Sequence, residues 1–272
     1  MSDAPKISVI VSTYNDPDAL RLVLEALRRQ TLRPLDVVIG DDGSTEATRV
    51  LIDSMRTDFP VPLAHVWHED RGFRLAEIRN KSVAAAKGDY IIQIDGDIVV
   101  DRHFVEDHAR LARKGFFVKG TRIKLSEKIS RRLRSRGSLP RFMPGFFSPG
   151  IEKQRFKTLR LPWPGFRKSL TYRSSGTGIG ANMAFWRSDF LKTNGYDESF
   201  TGWGCEDTDL MERFLRMGLR TSKTFHVAKA YHLYHPENPS PHLEEAYRLL
   251  AEKAARGETE CENGISKWLN QK

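Results

Sequence analysis

Over the first hundred residues, short wholly apolar runs alternate with stretches in which apolar positions recur at helical spacing. Ile7 to Val11 (ISVIV) contains no polar position, which predicts a strand buried on both faces. A polar turn, Ser12-Thr13-Tyr14-Asn15-Asp16-Pro17, follows, and Leu20, Leu24 and Leu27 then recur at helical spacing with Val23 beside them. Val37-Val38-Ile39 predicts a second buried strand, which ends in Gly40-Asp41-Asp42-Gly43-Ser44. A helix is expected from Thr45 to Met55, a weaker strand around Ala64–Trp67, and a helix over Leu75–Lys87 closed by Gly88. Tyr90 to Ile94 (YIIQI) predicts another buried strand, running into Asp95-Gly96-Asp97.

Strand–helix alternation with short connections predicts an α/β fold: a mostly parallel, Rossmann-like central sheet covered by helices on both faces. Ligands in such sheets bind beyond the carboxyl ends of the strands. Three polar clusters, Thr13-Tyr14-Asn15, Asp41-Asp42 and Asp95-Gly96-Asp97, lie at those ends. Residues 119–173 break the alternation with five prolines and apolar clusters at Phe142-Met143, Phe146-Phe147 and Leu161-Pro162-Trp163. Beyond them come a Gly-rich then apolar stretch from Gly176 to Phe185 and a helix over Glu206–Met217. A last strand is expected over Phe225–Tyr231, and a C-terminal helix over His242–Ala255 with Leu243, Tyr247 and Leu250 inward. The reading is one domain over 1–272: a half over 1–118, a basic insert over 119–173, and a half over 174–272.

The 272 residues are 39% hydrophobic, enough for a sizeable core, and this composition excludes a disordered chain or a disulfide-stapled miniprotein. Only Cys205 and Cys261 could pair, and no Cys/His run has zinc-finger spacing. Asp3 and Lys6 precede the first apolar run, unlike a signal peptide, and no apolar stretch approaches the roughly 18–20 residues of a membrane span. A cytoplasmic protein is expected. The net charge of +9 is uneven: residues 119–173 hold 16 Lys/Arg against Glu127 and Glu152, so the rest of the chain is mildly acidic. That distribution points to a local anionic partner.

In extended chain, Asp95 and Asp97 would point to the same side, converging two hard oxygen donors of the kind that hold Mg²⁺ or Mn²⁺ together with phosphate. Gly96 between them would let the backbone turn or a ligand approach; an ordinary acidic turn is the alternative. Asp41-Asp42-Gly43-Ser44 suits a helix cap equally well as an acceptor for a base or ribose. Gly202-Trp203-Gly204-Cys205-Glu206-Asp207-Thr208-Asp209 is the densest cluster. Acids in a first helical turn favour the positive end of the dipole, which accounts for Asp209. It does not account for an indole between two glycines, suited to stacking on a sugar beside a carboxylate that could act as a general base. His226, His232 and His235 lie near the expected last strand, and His232 or His235 could complete a metal site begun by Asp97.

Together, ISVIVSTYN (7–15), GDDGS (40–44), RLAEIRNKSVAAAKGDYIIQIDGD (74–97), GANMAFWR (180–187) and GWGCEDTDL (202–210) resemble family 2 inverting glycosyltransferases of the GT-A fold. The Gly-Trp-Gly-x-Glu-Asp element is similar to the acceptor-side motif of galactosyltransferases and bacterial chondroitin-type polymerase domains. The resemblance implies a UDP-sugar donor, a glycan or lipid-linked glycan acceptor, and Mn²⁺ or Mg²⁺. It further implies that Ser12 and Tyr14 border the uracil, that Asp42 binds its N3–H, and that Arg74 meets the base or phosphate side. Asp95 and Gly96 would lie at the ribose or metal-bound water, Asp97 would bind the metal, and His232, with His235 in reserve, would complete it. Asp207 would be the catalytic base, Glu206 would hold the acceptor, and Trp203 would contact a sugar. Cell-surface polysaccharide or lipopolysaccharide synthesis is the implied setting.

In the insert, Ile123, Leu125, Ile129 and Leu133 alternate with basic residues, and Phe142, Phe146, Phe147 and Trp163 lie nearby. This pattern suggests an interfacial anchor for an anionic membrane surface on the inner face of the plasma membrane; the same charge could steer a soluble acidic polysaccharide, and a solvated loop is the plain alternative. No nucleic-acid recognition motif is present, so no nucleic-acid partner is expected. A nucleotidyltransferase, or a non-catalytic sugar-nucleotide-binding or membrane-docked protein, are the competing functions.

Overall fold

The computed structural model describes residues 4–141, 143–172, 180–236 and 243–269. In chain order, β1 (Ile7–Thr13), α1 (Pro17–Arg28), β2 (Asp36–Asp41), α2 (Glu46–Arg56), β3 (Leu63–Trp67), α3 (Leu75–Ala85) and β4 (Tyr90–Asp95) make the first half. The middle contains β5 (Ile98–Val100), α4 (Phe104–Leu111), β6 (Phe116–Lys119), β7 (Ile123–Leu125), α5 (Glu127–Arg136) and β8 (Ile151–Lys153). A 3-10 turn (Arg155–Thr158) and α6 (Pro162–Thr171) follow. The rest is β9 (Asn182–Trp186), α7 (Arg187–Lys192), α8 (Glu206–Arg216), β10 (Arg220–Lys223), β11 (Ala230–His232), α9 (Leu243–Ala255) and α10 (Ser266–Leu269).

The main sheet has seven strands in the order β10-β6-β9-β4-β1-β2-β3. β1 pairs in parallel with β2 and β4, and β9 is the antiparallel member between β4 and β6. Successive β1 residues serve opposite faces: Val9 and Val11 pack with Leu20, Val23 and Leu27 of α1, while Ile10 joins Ala76 and Val83 of α3 and Leu210 and Phe214 of α8. Both faces being apolar is why ISVIV carries no polar alternation. A second sheet, β5-β11-β7-β8, flanks the first. Among the described residues, no helix is long and apolar enough to cross a membrane.

Four expectations change. The third helix ends at Ala85, with the Ala86 N–H closing on Ser82 O, so Gly88 is not its cap. Gly88 is required by close approach instead: a Cβ there would lie 2.5 Å from Lys6 O and 2.6 Å from Ser8 N. The strand expected over Phe225–Tyr231 forms only from Ala230 onward, as the start of β11, because His226 and Ala228 adopt left-handed backbone (φ 55° and 47°). In α9 the inward positions are Ala246, Leu249 and Leu250, and Tyr247 is exposed; His242, Phe142 and the 176–179 part of the Gly-rich stretch lie outside the described residues.

The fourth concerns the insert, which is built into the body. It supplies β7 and β8, and Ile123, Leu125 and Leu133 are buried in the same core as β1 and α1, with Ile129 packed against them. Arg134 reaches back to Asp16 at the start of α1 (2.6 Å), and Arg160 to buried Asp107 in α4 (2.6 Å). The apolar stripe expected to meet lipid is therefore turned inward, because burying it on the sheet layer removes it from water. Phe147 and Trp163 are exposed.

Gly88→Ala is expected to destabilise the fold by about 1–3 kcal/mol, since the new methyl meets backbone atoms that cannot swing away. A urea-unfolding midpoint equal to wild type would show that β1 can move aside.

Candidate active site

The carboxyl end of β1 brings two acidic clusters together. Ser12 is the register partner of Gly40 in β2 and of Asp95 in β4, and Thr13 that of Asp41. Gly96 N–H donates to Ser12 O (2.7 Å), and a Cβ on Gly96 would come within 2.9 Å of that oxygen. Glycine is needed here because the turn presses on β1.

Asp41 accepts the Ser44 N–H (2.8 Å) and pairs with His65 (3.0 Å), so it braces the turn; the N-cap position of α2 is Thr45. Asp42 has both oxygens engaged, one with His68 Nε2 (2.6 Å) and one with the Arg74 N–H (3.0 Å). The segment leading into α3 thus folds over Asp42. The Arg74 guanidinium donates to Glu77 (2.9 Å) and to the Glu69 carbonyl. Tyr14 is half exposed, and its hydroxyl donates to Asp70 (2.9 Å). Ser12, Tyr14, Asp42 and Arg74 therefore border one edge, with Asp42 held by protein partners.

The chain turns at Gly96-Asp97, so Asp95 and Asp97 are not two positions of one extended strand. Their partners differ. Asp97 Oδ2 lies 3.0 Å from His232 Nε2 and 3.3 Å from His235 Nε2. Asp97 Oδ1 is buried with no hydrogen-bond partner. The second sheet creates this arrangement: β11 runs antiparallel to β5 with His232 opposite Ile98, and the Leu233 N–H donates to Asp97 O (3.0 Å). Donor atoms of Asp97, His232 and His235 lie within 4.8 Å of one another. One carboxylate and two imidazoles, with an unmet buried oxygen among them, fit a divalent ion such as Mn²⁺. Asp95 stands outside this trio.

Asp95 is held by a residue not anticipated from the sequence. Arg79, in α3, is 2% exposed. Its Nη2 donates to Asp95 Oδ1 and its Nη1 to Glu206 Oε1, both at 3.0 Å, and its Cζ lies 5.3 Å from the Tyr196 ring centroid. Burial works against the guanidinium charge, but Tyr196, Asp95 and Glu206 more than offset it and raise its pKa above the ordinary value. The available signal was positional: Arg79 lies three residues after Ala76 and four before Val83, on the buried side of α3, where a cation needs acidic partners.

Glu206 and Asp207 open α8, after a corner where Gly202, Gly204 and Cys205 all have positive φ and Trp203 is 56% exposed. Burial, then the charge of Asp207, pushes Glu206 up to about 7 although Arg79 pulls it down. Its Oε2 is buried and unpartnered. Asp207 accepts the Gly180 N–H. Asp209 is structural: it pairs with fully buried Arg213 (2.7 Å), which also donates to Thr193 O and Gly195 O. Cys205 and Cys261 are separate buried thiols, so the one pairing open to the chain is not formed.

The family model described as "Glycosyl transferase family 2" matches residues 8–191, two thirds of the chain. The chain belongs to glycosyl transferase family 2. A second family model, the "N-terminal domain of galactosyltransferase", matches residues 165–236 and so contains the Trp203–Asp207 corner and both histidines. Among curated relatives, the validoxylamine A glucosyltransferase of Streptomyces hygroscopicus subsp. limoneus is 28% identical over 241 residues, covering 80% of this chain and 49% of that protein. The Escherichia coli chondroitin synthase is 26% identical over 247 residues, 86% of this chain and 35% of that one. The chain thus spans half or less of the length of these two relatives. The solved mannosyltransferase PcManGT from Pyrobaculum calidifontis, in complex with GDP-Man and Mn²⁺, aligns with a TM-score of 0.61 at 19% identity, over 94% of this chain and 65% of that one. GalNAc-T7 with UDP, GalNAc and Mn²⁺ aligns at 0.66 and 18% identity, over 92% of this chain and 48% of that one. The mostly parallel sheet with its helices is the GT-A fold that the resemblance implied.

Arg79→Met is expected to cost about 3–5 kcal/mol in urea unfolding, since it strands Glu206 in a buried site. Loss of less than 1 kcal/mol would show that water reaches the pair. Because the folded pKa of Glu206 lies above its ordinary value of 4.5, its contribution to stability is complete below pH 4.5 and is lost as pH rises through about 7. Glu206→Gln should remove that part of the pH slope, on the order of 3 kcal/mol, in unfolding midpoints measured stepwise across the range.

Proposed function

We propose that this family 2 chain transfers a sugar from a UDP-sugar to a glycan hydroxyl by a single inverting displacement. The observation that carries the reading is that Arg79 ties Asp95, next to the Asp97–His232–His235 cluster, directly to Glu206, next to Asp207. A donor-side group and an acceptor-side group thereby face one centre. Asp97, His232 and His235 would hold Mn²⁺ or Mg²⁺. When bound there, such an ion supplies Lewis-acid stabilisation for the departing diphosphate.

The remaining roles belong to the chain. Tyr14, Ser12 and the Asp42–Arg74 edge bound the space for the base. Asp207 takes the proton of the acceptor hydroxyl as its oxygen attacks the anomeric carbon from the face opposite the leaving group. Glu206, whose carboxyl is held above the usual carboxylate range by burial and the neighbouring Asp207 charge, can hold that hydroxyl by donating or accepting a hydrogen bond. Trp203, exposed on its glycine-flanked corner, offers a flat apolar surface to a sugar ring. The two separate thiols support a reducing, cytoplasmic setting.

Calorimetry with UDP and GDP, with and without Mn²⁺, tests the donor half. Wild type should bind UDP more tightly with Mn²⁺, and Asp97→Ala should abolish that gain; binding of GDP alone would replace the donor. For the chemistry, Asp207→Asn should retain UDP binding and lose transfer by about 10²–10⁴-fold. Transfer at the wild-type rate would remove Asp207 as the base.

A further inference from the structure

Like charges directly opposite one another on neighbouring strands destabilise a sheet. This chain sets two such pairs beside the site. Lys119 at the end of β6 is the register partner of Lys223 at the end of β10, and Lys124 in β7 is the partner of Lys153 in β8. Lys124 is also the register partner of His232 in β11. Paired positions project from the same face of a sheet. A row therefore runs outward from the Asp97 cluster through His232 and Lys124 and, across the register shift at Lys124/Leu125, to exposed Lys153. Arg122, two positions before Lys124, shares that face, whereas Ile123 and Leu125 are buried on the other.

Lys157, in the 3-10 turn, joins the two groups. Burial, then Lys223 and Arg122, brings its ammonium down to about 8, and Lys119 is lowered by burial and by Lys223. At the inner end, Arg122 lies within electrostatic reach of Asp95. Of the two acids in 119–173, Glu127 is taken by Arg131. Among the described residues, no carboxylate lies within salt-bridge distance of Arg122, Lys124, Lys153, Lys157 or Lys223. Five cations with no carboxylate in salt-bridge reach make a surface that attracts an external anion.

We propose that this cationic row is the docking track for an anionic glycan acceptor, one carrying carboxylate, sulfate or phosphate on its repeating units, whose free end reaches Asp207. The inference rests on the sugar-transfer reading and adds to it the chemical class of the acceptor. An extended row leading into the site matches a chain that must be delivered end-on. A membrane surface would call on the apolar face of α5, and the core already occupies that face.

The test uses the full chain and fluorescence anisotropy with two labelled probes: a hexasaccharide bearing a carboxylate on alternate sugars, and a neutral hexasaccharide of equal length. Wild type should bind the anionic probe and bind the neutral one at least tenfold more weakly. Lys124→Ala combined with Lys153→Ala should weaken anionic binding about tenfold or more, and Lys→Arg at both positions should restore it. Arg131→Ala with Arg132→Ala, on exposed α5, should leave it unchanged. Equal binding of both probes, no binding of either, or loss only in the α5 variant overturns the track. So does binding confined to phosphatidylglycerol vesicles. UDP binding by wild type is measured in parallel: if it is absent while the charge-dependent glycan binding persists, the donor reading falls and the track stands.

Discussion

A guanidinium with almost no solvent contact must find its counter-charges inside the protein. Arg79 does so by taking one acid from the end of β4 and another from the first turn of α8, 127 positions away along the chain. Neither end can move without leaving charge unpaired in a dry environment. Tyr196 lies under the guanidinium and donates to Gln93 (3.0 Å), and Gln93 donates to the Gly180 carbonyl (2.8 Å). The Gly180 N–H in turn meets Asp207. A circuit of hydrogen bonds, closed by the Arg79–Tyr196 cation–π contact and by the Glu206–Asp207 peptide link, therefore fixes the proposed base relative to the strand that carries Asp95. Glu206 and Asp207, adjacent in sequence, are separated in environment by the same circuit: one is buried against Arg79, the other is only partly buried and accepts the Gly180 N–H.

The division of labour between the two sheets follows from strand direction. The parallel main sheet delivers its carboxyl ends to one side, which is where Ser12, Asp42 and Asp95 collect. A parallel sheet alone would leave Asp97 as a loop carboxylate. The antiparallel pairing of β5 with β11 brings a histidine from the far end of the chain onto it, and the neighbouring β7 and β8 extend the same surface with lysines. The acidic and basic parts of the chain thus meet at one boundary, with the carboxylates at the strand ends inside and the cations outside. Like-charge pairs are tolerated there because the strands that carry them are short and their other face is buried in the common core.

How much of this was legible in the sequence depends on the range of the interaction. ISVIV, VVI and YIIQI declare buried strands because burial on both faces demands uninterrupted apolar side chains, and the helices between them declare themselves through spacing. Strand ends are local too, so the acidic clusters could be set at the correct edge. Gly88 was misread because a glycine at a helix end has two physical explanations, positive φ and close approach, and only the packing of β1 beside it distinguishes them. Residues 225–231 looked like a strand because their composition is apolar, whereas left-handed backbone at His226 and Ala228 breaks the extension. The apolar stripe of 123–133 was visible, but which surface it would bury against was not.

Residue types and their periodicity, then, were sufficient for the α/β layering and the inventory of acids, histidines and the glycine-flanked tryptophan, while the family came from the resemblance of five motif strings. Tertiary structure alone decided the partnerships: Arg79 with Asp95 and Glu206, both His232 and His235 with Asp97, and lysine facing lysine across β6–β10 and β7–β8. Periodicity is a property of neighbours along the chain, whereas charge pairing depends on distance through space. That distance is set only when strand order and register have brought remote segments together.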